Sequence, residues 1–146
     1  MEPFHALIPP DLTVAVAGVG VDLLLLERFR CLGADLDDPF YRKTFTGLEL
    51  QQASEHGDPV LMLALAFAGK EAAFKCLGMD GNRVRLQEIE ILRDDRGGYG
   101  VTWLGRLGEL AAGAGIGRTH LQVALEGPFV RALALAERTG GCGRIR

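Results

Sequence analysis

The chain has 146 residues, of which 48% are hydrophobic and 24% are charged, as expected for a folded globular protein and not for a disordered one. The formal net charge of -3 argues against a general nucleic-acid or anionic-membrane binder, because both need a basic surface. A local basic pocket for one phosphate-bearing ligand remains open. The length predicts a single domain over residues 1–146, with a mobile arm at 1–12 and a mobile tail at 139–146.

The cysteines and the amino terminus both bear on location. Cys31, Cys76 and Cys142 have no metal-ligand spacing and indicate reduced thiols. The first ten residues, MEPFHALIPP, lack the basic region and the long apolar stretch of a secretory signal. The most apolar run, Val14 to Leu26, is interrupted by Asp22 and is too short to span a bilayer. The sequence therefore predicts a cytoplasmic protein.

The first predicted element in chain order is a buried strand at Val14–Leu25, which is a β-branched apolar run. A helix is predicted to begin at Leu26 and to reach about Cys31. Gly33–Pro39 (GADLDDP) is rich in acidic and turn-forming residues, so it is either a loop or the frayed end of that helix.

Two capped helices are predicted next. Thr46 and Glu49 form a capping-box pattern for a helix that runs to about residue 55. Asp58 is placed to cap a longer helix, predicted over Pro59–Leu77, which has proline at its first position. Gly78 is placed to end it.

The second half of the chain predicts mainly strands. An alternation of polar and apolar residues indicates a half-buried strand, and the segment DDRGG (94–98) indicates a hairpin turn. The predicted strands are Leu86–Leu92, Tyr99–Trp103, His120–Glu126 and Val130–Glu137, with a helix at Leu104–Ala114.

Asp22 needs a chemical explanation, because a carboxylate inside an apolar strand is costly if it is buried and unpaired. It either lies at the exposed end of the strand, where it caps the next element, or it holds a cation. A second group of charges, Lys70, Glu71 and Lys75, lies in the long apolar helix. Lys70 and Glu71 are adjacent and point about 100° apart, whereas Glu71 and Lys75 are one turn apart and share a face. These charges are either a solvated stripe or functional groups.

Five segments carry a resemblance to a known family. They are GVGVDLLLLER (18–28), FT with EL (45–50), FAGKEA with a lysine at 75 (67–75), EIEILRDDRGG (88–98) and GIGRTHLQV (115–123). Together they resemble the motifs of holo-acyl-carrier-protein-synthase type phosphopantetheinyl transferases, in order, over about residues 16 to 137. Each segment alone is a weak signal, but five in register are fairly specific.

The resemblance implies an α+β fold, with an antiparallel sheet packed on one long helix. It also implies an enzyme that moves 4′-phosphopantetheine from coenzyme A to a serine of an acyl carrier protein and releases 3′,5′-ADP. Mg²⁺ is the implied cofactor, with Asp22 and Glu71 as its ligands. Lys70 and Lys75 would bind the pyrophosphate, and Glu71 and Lys75 would be the catalytic residues. Arg28 matches a family position that faces the carrier protein, and short members of the family assemble as homotrimers.

The chain also departs from the family pattern. Gln122 and Leu125 stand where the family has a Ser and a His, and Ala66 stands where it has an Arg. Because the family groups contact coenzyme A phosphates or help proton transfer, an alternative stays open: a catalytically impaired relative that binds coenzyme A or a carrier protein without transferring the arm. His120 matches the family's structural histidine. A loop that is basic in the family is acidic here, at Asp35, Asp37 and Asp38, which would weaken the docking of an acidic carrier.

Overall fold

The computed structural model describes residues 15–79 and 84–139. The predicted amino-terminal arm, Val14 and Cys142 lie outside the described residues, as does the predicted tail beyond Thr139. The elements in chain order are β1 (Val16–Leu25), α1 (Leu26–Leu32), α2 (Pro39–Thr44), α3 (Gly47–Ser54), α4 (Pro59–Lys75), β2 (Ile89–Arg93), β3 (Tyr99–Trp103), α5 (Gly105–Gly113), β4 (Ile116–Glu126) and β5 (Phe129–Arg138).

The five strands form one antiparallel sheet in the order β1-β5-β4-β3-β2. Strand β5 pairs with β1 on one side and with β4 on the other along nearly its whole length, while β3 meets β4 at a single aligned pair, Tyr99 and Leu121. Helix α4 packs across one face of this sheet, against β1, β5, β4 and β2. This architecture confirms the predicted α+β class.

Helix α4 is apolar on all sides, so it is the core helix. Asp58 Oδ1 accepts a hydrogen bond from the Leu61 backbone N–H at 3.1 Å, and Pro59 occupies the first turn. Gly78, with φ of 63°, follows the end of the helix. Both predicted boundaries are therefore confirmed to within two residues. In the part of the chain that is described, no helix has the length and hydrophobicity to cross a membrane.

Two short elements differ from the sequence prediction. Helix α2 falls where a loop was expected to end, because Asp38 accepts a hydrogen bond from the Phe40 N–H at 2.8 Å and Pro39 begins the helix. This is the same cap that starts α4. The segment Leu86–Glu88 is a short 3-10 turn, so the strand predicted there begins only at Ile89.

Strand β1 packs closely against α4 at two glycines. A Cβ on Gly18 would overlap the carbonyl oxygen of Cys76, and a Cβ on Gly20 would overlap that of Ala72. Only glycine allows the backbone of β1 to come so near to the helix. The opposite face of β1 carries the exposed side chains Val19, Val21 and Leu23.

Gly20→Ala is expected to destabilise the fold by about 3 kcal/mol, because the added methyl group meets a helix backbone that cannot move aside alone. Gly47→Ala is the matched control, since a Cβ there meets nothing within 4 Å. It is expected to be neutral, or to stabilise the protein by up to about 1 kcal/mol. Urea unfolding midpoints compare the two, and equal midpoints would contradict the packing argument.

Candidate functional site

Asp22 and Glu71 come together where β1 touches α4. Asp22 lies two residues after Gly20, so it faces the helix as Gly20 does. Glu71 immediately precedes Ala72, whose carbonyl group lies against Gly20. The glycine contact thus brings a strand carboxylate and a helix carboxylate to the same place.

Lys75 completes this group from the next turn of α4. Its ammonium donates to the carbonyl oxygen of Val21 at 2.8 Å and to Asp22 Oδ1 at 3.1 Å. The Asp22 side chain is 17% exposed and that of Lys75 is 48% exposed. The aspartate is therefore held near the surface by a cation that solvent can reach.

The Glu71 carboxylate is half-buried, and its charge is only partly compensated. Burial raises its pKa most, the negative charge of Asp22 raises it further, and Lys75 lowers it in part. Among the described residues, none forms a hydrogen bond or a salt bridge with this carboxylate. Glu71 thus has no hydrogen bond within the described part of the chain, and it lies within electrostatic range of Asp22.

The donor set limits which metal the site can hold. Among residues 15–79 and 84–139, no three His, Cys, Asp or Glu side chains form a metal-binding cluster. Structural zinc needs four protein ligands and catalytic zinc needs three. Two carboxylates fit Mg²⁺, which commonly takes one or two carboxylates and completes its shell with waters and phosphate oxygens.

Lys70, by contrast, lies away from this group. Its side chain is fully buried, with Nζ 2.8 Å from Glu49 Oε2. The same ammonium donates to the carbonyl oxygens of Leu86, at 2.9 Å, and Ile89. All three of its donors are engaged inside the core, so the prediction that Lys70 binds the pyrophosphate does not agree with its position. The helix turns adjacent residues about 100° apart, which sends Lys70 inward and Glu71 toward β1.

Glu49 both caps α3, as the sequence predicts, and pairs with Lys70, which the sequence does not predict. It does close the predicted capping box, since its Oε2 accepts from the Thr46 N–H at 2.7 Å. Its other oxygen accepts from the Ile91 N–H at 2.7 Å. The sequence signal was the capping box itself, but nothing local indicated that Lys70 would meet it.

Arg28 lies exposed on α1, which follows directly after β1. Its neighbour Arg30 forms a two-pronged salt bridge with Asp58, at 2.8 and 3.2 Å, and so is bound to the start of α4. The acids of the following loop are partly used internally. Asp35 and Asp38 each accept a hydrogen bond from a nearby backbone N–H, and Asp37 pairs with Arg42.

The positions that depart from the family pattern lie elsewhere in the fold. Gln122 and Leu125 line an open cleft of about 650 Å³, together with Arg96 and Arg131. Leu125 is 44% exposed, and the Gln122 Oε1 atom is buried without a hydrogen-bond partner. Ala66 is buried in α4. Neither carboxylate of the β1–α4 group lines this cleft.

Comparison with known proteins bears directly on this arrangement. The family model of the 4′-phosphopantetheinyl transferase superfamily matches residues 18–125. The holo-[acyl-carrier-protein] synthase of Nitrosococcus oceani is 34% identical over 128 residues, which are 86% of this chain and 83% of that protein. The synthase of Chlamydia trachomatis is 34% identical over 121 residues, or 82% of this chain and 98% of that one.

Solved structures of holo-[acyl-carrier-protein] synthases have a similar fold. The holo-[acyl-carrier-protein] synthase of Neisseria meningitidis superposes with a TM-score of 0.75 at 30% identity, covering 85% of this chain and all of that one. The holo-ACP synthase of Plasmodium yoelii gives 0.72 at 26% identity, covering 86% and 97% of the two chains. By family model, relatives and fold, the chain belongs to the holo-[acyl-carrier-protein] synthases of the 4′-phosphopantetheinyl transferase superfamily.

Proposed function

We propose that this protein transfers 4′-phosphopantetheine from coenzyme A to a serine of an acyl carrier protein and releases 3′,5′-ADP. The observation that carries the proposal is the meeting of Asp22, Glu71 and Lys75 at the β1–α4 contact. Its relatives are named holo-[acyl-carrier-protein] synthases. A solved neighbour, 26% identical with a TM-score of 0.69, is a complex of such a synthase with coenzyme A.

The reaction replaces a phosphoanhydride bond of coenzyme A by a phosphate ester bond to serine. The serine oxygen bonds to the phosphorus that carries pantetheine, the bond from that phosphorus to the bridging pyrophosphate oxygen breaks, and 3′,5′-ADP leaves. The serine gives up its proton. Charge therefore develops around a pyrophosphate, and catalysis is mainly a matter of positioning and electrostatic stabilisation.

Asp22 and Glu71 would hold Mg²⁺ at this site, and the ion would supply charge neutralisation to the pyrophosphate oxygens. Lys75 would bind a phosphate oxygen as a point charge, since its ammonium is half-exposed beside Asp22. Glu71, directly or through a water, would accept the serine proton.

Arg28 supports a docking role for α1, because it is exposed while the neighbouring Arg30 is tied to Asp58. The acidic loop beside it favours a carrier protein that is less acidic than usual on its docking surface. A cytoplasmic setting belongs to the proposal, since both cysteines within the described ranges, Cys31 and Cys76, are free thiols.

We also propose that the protein works as a homotrimer. The face of β1 that points away from α4 supports this, because it presents a row of apolar side chains at Val19, Val21 and Leu23, with Val21 58% exposed. His120 and Glu137 pair on the same face at 2.5 Å. Within a single chain, the cleft lined by Gln122 and Leu125 is separate from the carboxylates. A neighbouring copy would therefore be needed to complete a binding site for coenzyme A.

The proposed function is tested by incubating the protein with coenzyme A, Mg²⁺ and a panel of apo carrier proteins, with intact mass as the readout. Addition of the phosphopantetheine arm to at least one carrier is expected. No addition to any carrier, with coenzyme A still bound in a separate titration, would instead establish the non-catalytic binding protein. The observation that favours this non-catalytic alternative is the set of altered residues Gln122, Leu125 and Ala66.

Asp22→Asn and Glu71→Gln are each expected to slow transfer at least about 100-fold, because loss of a direct metal ligand costs no less than loss of its supporting contacts. Glu109→Gln, an exposed substitution on α5, is the control and should keep the wild-type rate. Steady-state rates at saturating Mg²⁺ give the comparison. Rates within about threefold of wild type would remove both residues from the site.

Leu125→His is expected to raise kcat/KM for coenzyme A about tenfold, since a charge-assisted hydrogen bond to a phosphate contributes roughly 1.5–3 kcal/mol. Leu125→Ala opens the same space without adding a donor and should give no gain. A rise with both substitutions would show that the leucine obstructs the cleft and that no phosphate contact is restored.

Val21→Glu is expected to convert trimers to monomers and to abolish transfer at the same time, because it puts a charge in the middle of the apolar face. Leu48→Glu changes an exposed apolar residue on α3 and should leave assembly intact. Sedimentation velocity measures the state. A fully active monomeric wild type would contradict the proposed assembly.

A further inference from the structure

The charged pair Lys70 and Glu49 lies in the core, between α4 and α3. The Lys70 side chain has no exposed surface, the Glu49 side chain has 1%, and their charged atoms are 2.8 Å apart. Burial lowers the pKa of Lys70 and raises that of Glu49, because each charge loses its hydration, and the pairing offsets part of both shifts.

Every polar atom of the pair has a partner. The Lys70 ammonium donates to Glu49 and to the carbonyl oxygens of Leu86 and Ile89, which uses all its donors. Glu49 accepts from the backbone N–H groups of Thr46 and Ile91, both at 2.7 Å. A single pair thus joins α4 to the start of α3, to the 3-10 turn and to β2.

Stability alone does not explain such a pair, since apolar replacements of similar volume are often as stable as a buried ion pair or more so. Directional bonds add something that apolar contacts do not, namely a defined orientation. On the opposite side of α4, Gly18 and Gly20 of β1 lie against backbone carbonyls, and the directional bonds come from Lys75, a half-exposed side chain in the last turn of the helix. The glycines set the distance between strand and helix, and an exposed ion pair fixes the rotation of the helix less firmly than a buried pair with all its hydrogen bonds made.

We infer that Lys70, through its pair with Glu49, is a positioning residue that fixes the rotation of α4 so that Glu71 faces Asp22. The inference rests on the proposed function, because it concerns the same two carboxylates. Residues 70, 71 and 72 then have three successive tasks. Lys70 anchors the helix to β2 and α3, Glu71 faces Asp22, and Ala72 packs against Gly20.

The test compares Lys70→Met with the double variant Lys70→Met/Glu49→Gln. The single variant leaves a buried carboxylate unpaired and should unfold at lower urea, whereas the neutral double variant should recover part of that loss. Gln52→Ala is the control. It removes two hydrogen bonds between α3 and β2, at 2.8 and 2.9 Å, without touching α4.

Mg²⁺ alone is titrated into each full-length protein by calorimetry, and the half-saturating Mg²⁺ for transfer is measured in parallel. The double variant is expected to bind Mg²⁺ at least about tenfold more weakly and to keep the wild-type KM for coenzyme A. Gln52→Ala is expected to lose stability but to keep the wild-type Mg²⁺ affinity. A folded double variant with wild-type Mg²⁺ affinity would overturn the inference.

If the double variant does not fold, Lys70→Arg takes its place, because a planar guanidinium keeps the charge but cannot match three acceptors arranged around an ammonium. Weaker Mg²⁺ binding by Lys70→Arg is expected, and wild-type Mg²⁺ affinity would overturn the inference. If the wild-type protein transfers the arm and the variants keep the wild-type Mg²⁺ affinity, only the positioning role is contradicted. Absence of transfer by the wild type contradicts the proposed function alone, since Mg²⁺ affinity is measured without coenzyme A or carrier.

Discussion

The contact between two glycines of β1 and the backbone of α4 is the constraint on which the site depends. Because Gly18 and Gly20 have no side chain, the strand lies directly against the carbonyl groups of Cys76 and Ala72. Asp22 follows on the same face of the strand, and Glu71 precedes Ala72 on the helix. The two carboxylates therefore meet as a consequence of backbone packing, and any side chain at either glycine would separate them. The glycines are needed because no side chain fits between strand and helix, and the close approach lets the negative charge of Asp22 raise the pKa of Glu71.

Helix α4 is held from two sides by different kinds of interaction. Its contact with β1 is a close backbone approach at Gly18 and Gly20 with Lys75 bound to Asp22 at the surface, whereas its contact with α3 and β2 runs through the buried pair of Lys70 and Glu49. The adjacent residues Lys70 and Glu71 thus have opposite surroundings: one is fully enclosed and satisfied, the other is half-buried and open to a ligand. One helical step turns the side chain by about 100°, so Lys70 points into the core while Glu71 points toward β1.

The two halves of the proposed site are spatially independent on a single chain. Asp22, Glu71 and Lys75 lie at the β1–α4 contact, while Gln122 and Leu125 line a cleft where β3 and β4 diverge after a single aligned pair. Substitutions in the cleft can therefore leave the carboxylates undisturbed. This separation explains how a chain can keep Asp22 and Glu71 at the β1–α4 contact while it carries Gln122 and Leu125 in the cleft.

The sequence by itself determined the elements whose signals are local. Thr46 with Glu49, and Asp58 with Pro59, located the starts of α3 and α4, because caps satisfy backbone groups within one turn. The order of the motifs also indicated the family and its α+β fold. It did not determine the fate of Lys70, since the burial of a charge depends on a partner far along the chain, here Glu49. Nor did it show why Gly18 and Gly20 are glycines, because the carbonyl groups that exclude a side chain belong to α4. Only the tertiary structure decides which of the two adjacent charges is enclosed in the core and which is only half-buried.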